Sequence, residues 1–186
     1  TGLANLRVVP APRNLGKGAA VRRGMMAARG AYLLFADADC STPIEEFDML
    51  LAAVHDGGAD VAIGSRAAIG SEAQNRSAGR RIATAGLRLV AQRLLRTRVE
   101  DTQCGFKLFT RDAARRLFTR QTIDGFSFDL ELLFLASRMG MQVAEVPVHW
   151  YDAPGSKVEP LKEARRFLID VFRIRLNGLR GVYADA

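Results

Sequence analysis

Two aspartates follow a short apolar run early in the sequence. The run AYLLFA (31–36) reads as a buried strand, and it is followed directly by Asp37 and, two positions on, by Asp39. If the backbone stays extended, the two carboxylates point the same way, and hard divalent cations prefer such oxygen ligands. The pair is therefore a candidate site for Mg²⁺ or Mn²⁺ bound to a diphosphate. The alternative is that Asp37 caps a helix and Asp39 lies in a solvated turn.

A glycine-rich segment, NLGKG (14–18), supplies a second set of candidates: Asn14, Gly16, Lys17 and Gly18. The glycines permit close backbone approach, Lys17 supplies positive charge, and the helix predicted to follow presents free N–H groups to an anion. The segment lacks the spacing of the Walker A and dinucleotide-binding motifs. It is therefore either an anion-binding loop or a tight turn with a solvated lysine.

Basic residues follow or flank several predicted strand ends. Arg66 follows the strand DVAIGS, Arg80 begins a long basic helix, and Lys157 lies in PGSKV after the last strand. Each alone is more typical of a solvated surface charge. Together they could gather phosphate oxygens, the arginines by bidentate pairing and the lysine as a point charge.

Polar residues precede an apolar strand in EDTQCGFKLF (100–109), among them Asp101, Gln103 and Cys104. Such a run is usually only a loop. A nucleophilic Cys104 would need a nearby base, but His55 and His149 lie on a helix end and a strand with no evident pairing to it. We therefore expect no cysteine catalysis.

Two further carboxyl residues, Asp129 and Glu131, begin a predicted helix in GFSFDLELL. Favourable interaction with the helix dipole is one explanation for acidic residues at this position. The other is a carboxylate that faces a sugar-binding site. Both residues are candidates for a catalytic role.

Strands and helices alternate along the chain, with apolar runs for strands and period-3.6 patterns for helices. This order predicts an α/β fold with a mainly parallel central sheet covered by helices, whose ligands lie at the carboxyl ends of strands. The predicted strands span 6–10, 31–36, 60–65, 105–110 and 142–150. The predicted helices span 19–29, 44–56, 80–95, 111–118, 128–140 and 160–177.

Composition limits the class of protein. The 186 residues fit a single domain (1–186), and a formal charge of +7 favours anionic partners such as nucleotides, lipid headgroups or nucleic acid. The two cysteines are far apart in sequence, which argues against a disulfide scaffold or zinc site and favours a reducing compartment. No apolar run is long enough to cross a bilayer, so any membrane contact of this chain would be peripheral.

The last predicted helix (160–177) is amphipathic and basic. Its apolar residues recur at helical spacing: Leu161, Ala164, Leu168, Val171 and Phe172. Basic residues surround them: Lys162, Arg165, Arg166, Arg173, Arg175 and Arg180. The pattern fits either packing against the sheet or shallow docking on an anionic membrane.

Seven segments in order resemble one family: NLGKGAAVRRGMMAARG, YLLFADADCSTP, DVAIGSRA, DTQCGFKLF, GFSFDLELL, EVPVHW and GSKV. They resemble the dolichyl-phosphate or polyprenyl-phosphate β-glucosyltransferases, inverting family 2 glycosyltransferases of GT-A fold. The resemblance runs from about residue 5 to residue 175. It implies metal-dependent transfer of glucose from UDP-glucose to a polyprenyl or dolichyl phosphate, at the cytoplasmic face of a membrane.

The resemblance also implies roles for individual residues. Asp37 and Asp39 match the pair that holds Mg²⁺ or Mn²⁺ on the donor diphosphate. By residue type and position, the candidate catalytic carboxylates are Asp37, Asp39, Asp129 and Glu131, and the candidate donor-binding residues are Asn14, Gly16, Lys17, Gly18, Asp37 and Gln103. The residues for phosphate and acceptor would be Arg66, Arg80, Ser156 and Lys157.

Other readings remain open at this level. A related transferase could use GDP-mannose or another acceptor, and a basic nucleic-acid- or membrane-binding module without catalysis would also explain the charge. The aromatic residues, 8% of the chain, lie largely in apolar strands and helices, so we expect no nucleic acid partner. The chain begins with Thr and lacks segments of the types VVIPAYNE and DDGS with which family members begin, so we expect an N-terminal portion to be missing.

Overall fold

The computed structural model describes residues 6–66, 72–73, 86, 89–95, 97, 99–151 and 160–184, with only the backbone at 72–73 and 160–163. Its helices are α1 (Lys17–Ala27), α2 (Phe47–His55), α3 (Arg111–Arg120), α4 (Phe128–Arg138) and α5 (Pro160–Leu179). Its strands are β1 (Tyr32–Ala36), β2 (Val61–Ser65), β3 (Glu72–Ala73), β4 (Phe106–Thr110), β5 (Val143–Pro147) and β6 (His149–Trp150). Residues 89–95 are also helical.

The central sheet has the strand order β1-β4-β2-β5. β2 and β5 are parallel, whereas β4 is antiparallel to both of its neighbours, β1 and β2. The predicted α/β class is confirmed, and the sheet is mixed: β1, β2 and β5 run in one direction, whereas β4 runs in the other. As a result, the amino end of β4 lies at the edge where β1, β2 and β5 end.

Side chains on the two faces of the sheet form two separate core clusters. On one face, Leu33, Ile63 and Phe109 pack with residues of α1, α3, α4 and α5. On the other face, Leu108 and its neighbours pack against α2. Burial on both faces explains why these strands read as nearly continuous apolar runs.

Several predicted elements differ in the structure. Residues 6–10 form no strand, and Leu6 and Val8 are 69% and 78% exposed, so no strand or helix among the described residues buries this run. The predicted strand 142–150 is two strands, because β5 belongs to the central sheet and β6 pairs with β3 in a second sheet. The helix predicted at 44–56 begins with a 3₁₀ turn, Ile44–Glu46. Of the helix predicted at 80–95, the structure describes only residues 86 and 89–95.

Among the helices that the structure describes, none is both long and apolar enough to cross a membrane.

Candidate functional site

Asp37 lies at the end of β1, at the edge of the sheet where β4 begins. Its amide donates to the carbonyl of Gly105 over 2.8 Å. Its carboxylate is 31% exposed and pairs with Lys17, the first residue of α1, at 2.8 Å. The side chain therefore does not cap a helix. It combines with a lysine to form a charged pair that solvent can reach.

Asp39 lies in the exposed turn that follows. Its Oδ1 accepts a hydrogen bond from the amide of Ser41 over 3.0 Å. Between these residues, Cys40 adopts a φ of +54°, in the left-handed region that residues other than glycine rarely enter. The turn leaves the carboxylate of Asp39 exposed to solvent.

Gly16 and Gly18 make close approaches to the protein's own backbone. A Cβ at Gly16, whose φ is +111°, would lie 2.4 Å from the carbonyl oxygen of Asp124. A Cβ at Gly18 would lie 2.7 Å from the carbonyl oxygen of Ile123. The amide of Gly16 is bonded to Oδ1 of Asn14 at 3.0 Å. In the structure these glycines are therefore explained by packing against residues 123–125, which positions Lys17 beside Asp37.

Arg66, at the end of β2, forms a bidentate pair with Asp101. Its Nε donates to Oδ2 and its Nη2 to Oδ1, both over 2.7 Å. Burial alone would lower the pKa of Arg66. The hydrogen bonds and charge of Asp101 outweigh burial, and the net effect is that the pKa of Arg66 is raised. Burial alone would raise the pKa of Asp101, but Arg66 outweighs it and that pKa is lowered. Both groups are therefore charged at neutral pH.

Two neighbours support this arginine–aspartate pair. Glu145 of β5 accepts hydrogen bonds from the amides of Glu100 and Asp101 at 2.9 and 3.0 Å, which fixes the loop before β4. The guanidinium of Arg66 lies over the ring of Trp150, 5.2 Å from its centroid, in a cation–π arrangement. Trp150 also lines a shallow depression together with Asp37 and Gly105.

Lys107 and Asp129 form an ion pair in the core beneath this edge. Lys107 Nζ lies 2.7 Å from Asp129 Oδ1, and both side chains are almost fully buried. Nζ also donates to the carbonyl of Cys104. Burial raises the pKa of Asp129, although the charge and hydrogen bond of Lys107 oppose the shift. Burial likewise raises the pKa of the Cys104 thiol.

Glu131, on the same helix as Asp129, is fully buried. Its carboxylate accepts hydrogen bonds from the amides of Thr122 and Ile123 at 2.9 and 2.8 Å and from the hydroxyl of Tyr183 at 2.8 Å. It also accepts one from the Thr122 hydroxyl. With this set of protein donors, Glu131 has the contacts of a structural residue.

The remaining predicted residues divide into two groups. Gln103 is exposed in the loop before β4. Arg80, Ser156 and Lys157 lie outside the described residues.

The histidines contact residues other than Cys104: His55 Nδ1 lies 2.8 Å from the Tyr32 hydroxyl, and His149 Nδ1 lies 2.6 Å from Glu46.

The sequence pattern gave Asp101 no role in the site and did not single out Gly105, Lys107 or Trp150. The available signal was the polar run directly before the strand of β4. Such a run reaches the ligand-binding edge only when its strand is antiparallel to its neighbours, and periodicity does not report strand direction.

The carboxylates at this edge suit a hard divalent cation. Mg²⁺ is commonly held by one or two carboxylates together with substrate phosphates. Within the described ranges, no cluster of three or more His, Cys, Asp or Glu side chains could hold a metal. Asp37 and Asp39 are a donor set of one or two carboxylates of this kind.

Comparison with known proteins identifies the family. The model of "Glycosyl transferase family 2" matches residues 2–118. Two relatives named dolichyl-phosphate β-glucosyltransferase, from Drosophila melanogaster and Homo sapiens, are 40% and 35% identical over 100% and 98% of this chain. The match covers 59% and 58% of those relatives, so the chain spans just over half of their length. The predicted resemblance is confirmed.

Solved structures show the same fold. Glucosyl-3-phosphoglycerate synthase from Mycobacterium tuberculosis, in complex with Mn²⁺, UDP-glucose and phosphoglyceric acid, has a TM-score of 0.62 at 21% identity. The match covers 93% of this chain and 57% of that one. A second complex of the same protein, with Mn²⁺, UDP and glucosyl-3-phosphoglycerate, has a TM-score of 0.61. These likenesses confirm the predicted GT-A fold.

Proposed function

Because this chain belongs to glycosyltransferase family 2, we propose that it transfers glucose from UDP-glucose to a polyprenyl or dolichyl phosphate with inversion at the anomeric carbon. The observation that carries the proposal is the 35–40% identity of curated dolichyl-phosphate β-glucosyltransferases over nearly the whole chain. The cations Lys17 and Arg66 at this edge support it, because both substrates are anionic.

On the donor side, we assign Asp37 and Asp39 to the metal and Lys17 to the diphosphate. The bound cation would supply charge stabilisation for the departing UDP. Lys17 is already 2.8 Å from the Asp37 carboxylate, so a diphosphate oxygen bound to the same cation would come within reach of its ammonium group. The solved M. tuberculosis complexes, which contain Mn²⁺ with UDP or UDP-glucose, are consistent with this assignment.

On the acceptor side, we assign Arg66, together with Arg80, Ser156 and Lys157, to the phosphates. A lipid phosphate is anionic at neutral pH, so its oxygen can attack C1 directly while the bond from C1 to the UDP oxygen breaks. No strong general base is needed, and the chain contributes positioning and charge. In this scheme Asp129 supports the edge through Lys107 and does not itself react.

We further propose that the reaction takes place at the cytoplasmic face of a membrane. The acceptor is a membrane lipid, which requires peripheral contact. The free thiols of Cys40 and Cys104 suit a reducing compartment.

The test is calorimetric titration of UDP-glucose with Mn²⁺ into the chain and into Asp39→Ala. We expect metal-dependent binding that the substitution weakens by tenfold or more, since it removes one of two charged ligands. Asp56→Ala is the matched control, because its carboxylate lies on the surface at the end of α2 with 76% of the side chain exposed. It should bind as the parent chain does.

Three results would count against the proposal. Binding that is indifferent to metal or to Asp39→Ala would remove the assigned donor site. Preference for GDP-mannose over UDP-glucose would replace the donor. If UDP-glucose binds but no labelled glucose is transferred to polyprenyl phosphate, the proposed acceptor is wrong.

A further inference from the structure

Helix α5 carries two different apolar faces. One face, with Phe167, Val171 and Ile174, is buried in the core. The other, with Ile169, Phe172, Leu176 and Leu179, is open to solvent, and these side chains are 54%, 60%, 43% and 69% exposed. The spacing of three or four residues places these four on one continuous stripe. Packing against the sheet therefore accounts for only one of the two faces.

Arginines border this stripe. Arg166, Arg173 and Arg180 recur every seven residues, so they form a row along the helix, and all three are exposed. At 100° per residue this row lies beside the stripe, and Arg175 lies on its other side. An exposed apolar stripe between cationic side chains is the arrangement of helices that lie in a membrane interface.

We infer that the exposed face of α5, with Ile169, Phe172, Leu176 and Leu179 at its centre, docks this chain on an anionic lipid surface. The helix lies along the surface, its apolar stripe enters the boundary between headgroups and acyl chains, and the arginines contact lipid phosphates. The inference extends the proposed function, since it names the surface that brings the chain to a lipid acceptor.

Charge complementarity favours lipid over a second copy of the chain. Two copies packed through the stripe would bring their arginine rows into one interface, and like charges at an interface cost affinity. An anionic surface instead gains from each arginine, with about a fivefold increase in binding per basic residue near it. The formal charge of +7 acts in the same direction.

The helix is fastened to the rest of the chain, so docking would orient the whole molecule. Arg138 of α4 donates to the carbonyl of Gly178 over 2.9 Å. A Cβ at Gly178 would lie 2.6 Å from the Phe134 ring, so glycine permits the close approach of α5 to α4. Tyr183, just beyond the helix, is bonded to Glu131.

The experiment is co-sedimentation of the full chain with vesicles, without sugar donor or acceptor. One set of vesicles is phosphatidylcholine alone, and the other is phosphatidylcholine mixed with phosphatidylglycerol. We expect binding to the anionic set, a loss of about tenfold or more in Phe172→Glu, and about a fivefold loss in Arg173→Ala. Met49→Glu is the matched control, because Met49 is also exposed on a helix, at 42%, and receives the same charge. It should bind as the parent does.

Two outcomes would overturn the inference: no binding to anionic vesicles by the folded chain, or equal loss in Phe172→Glu and Met49→Glu. Sedimentation equilibrium provides the competing result. A dimer that Phe172→Glu dissociates, in a chain that does not bind vesicles, would assign the stripe to a second copy. Since the vesicle assay needs no catalysis, its failure would leave the transferase proposal standing, and failure of UDP-glucose binding would leave the docking surface standing.

Discussion

At the scale of single residues, the site depends on Gly105, which has no side chain. Asp37 lies against Gly105, where a Cβ would be 2.0 Å from its Oδ2 and 2.1 Å from its Cγ. No side chain tolerates such distances, so any residue other than glycine would displace the carboxylate. Gly105 therefore leaves the space that the Asp37 carboxylate occupies, and a larger residue at this position would move that carboxylate.

Gly105→Ala is expected to retain the fold and to weaken metal-dependent UDP-glucose binding by about tenfold, the effect of losing one charged contact. The fold should persist because the Asp37 side chain, 31% exposed, can turn toward solvent. Titration calorimetry measures the binding. The matched control is Gly24→Ala in α1, where a Cβ meets nothing within 4 Å. It should leave binding unchanged and raise the melting temperature slightly, because alanine favours helix. Equal binding by both variants would show that the Asp37 position is unimportant.

At the scale of elements, the buried pair of Lys107 and Asp129 joins β4 to α4. Alternation along β4 directs Phe106 and Leu108 toward α2 and Lys107 toward α4. Lys107, a charged residue in an otherwise apolar strand, thus lies in the core, where the Asp129 carboxylate offsets the cost of burying its charge. Removing either member would leave the other buried without its countercharge, which is strongly destabilising.

Asp129→Asn is expected to lower the free energy of unfolding by about 3 kcal/mol, because it leaves a buried lysine without its countercharge. The double variant Lys107→Met with Asp129→Leu should lose less than Asp129→Asn alone, since it removes both charges together. Urea denaturation of the three chains measures the difference. A double variant that loses as much stability as Asp129→Asn, or more, would show that the unpaired charge is not the reason for the sensitivity.

At the scale of the whole molecule, a chain of contacts runs from the C-terminal end to the proposed donor site. Tyr183 is bonded to Glu131, Glu131 holds the backbone of Thr122 and Ile123, and the adjoining residues pack against Gly16 and Gly18. Segments far apart in sequence are thereby connected through one buried carboxylate. Burial, and then the charge of Glu131, raises the pKa of Tyr183 to about 12.

This pKa predicts a pH dependence of stability. The unfolded chain loses the Tyr183 proton near pH 10, whereas the folded chain keeps it to about pH 12. The contribution to stability is therefore complete below pH 10 and is lost as the pH rises from 10 toward 12, by about 2 kcal/mol.

Tyr183→Phe should be less stable than the parent at pH 7 by about 1–3 kcal/mol, because Glu131 loses a donor. The gap between the two should narrow above pH 10, as followed by denaturant unfolding at a series of pH values. Tyr151→Phe, at a side chain that is 54% exposed, is the control and should show no such convergence. A gap that stays constant to pH 12 would contradict the assignment.

The local sequence pattern predicts several features of this protein. An apolar run followed by two closely spaced aspartates indicates a strand end with candidate metal ligands, and β1 does end at Ala36, directly before Asp37. Alternating periodicities indicate an α/β fold, since each pattern reports which faces of an element are buried. The order of the seven motifs alone indicates the glycosyltransferase family. These features depend on residues that are neighbours in sequence.

The remaining features depend on pairings between distant segments. The reversed direction of β4 brings Asp101, Gly105 and Lys107 to the edge where β1 ends, and no periodicity carries strand direction. Glycines that resemble a phosphate loop instead approach residues 123–125, and Glu131 receives its donors from Thr122, Ile123 and Tyr183. The exposed stripe of α5 likewise depends on tertiary structure, because only packing decides which apolar residues of the helix fill the core. Burial and charge pairing are properties of contacts through space, so tertiary structure alone decides them.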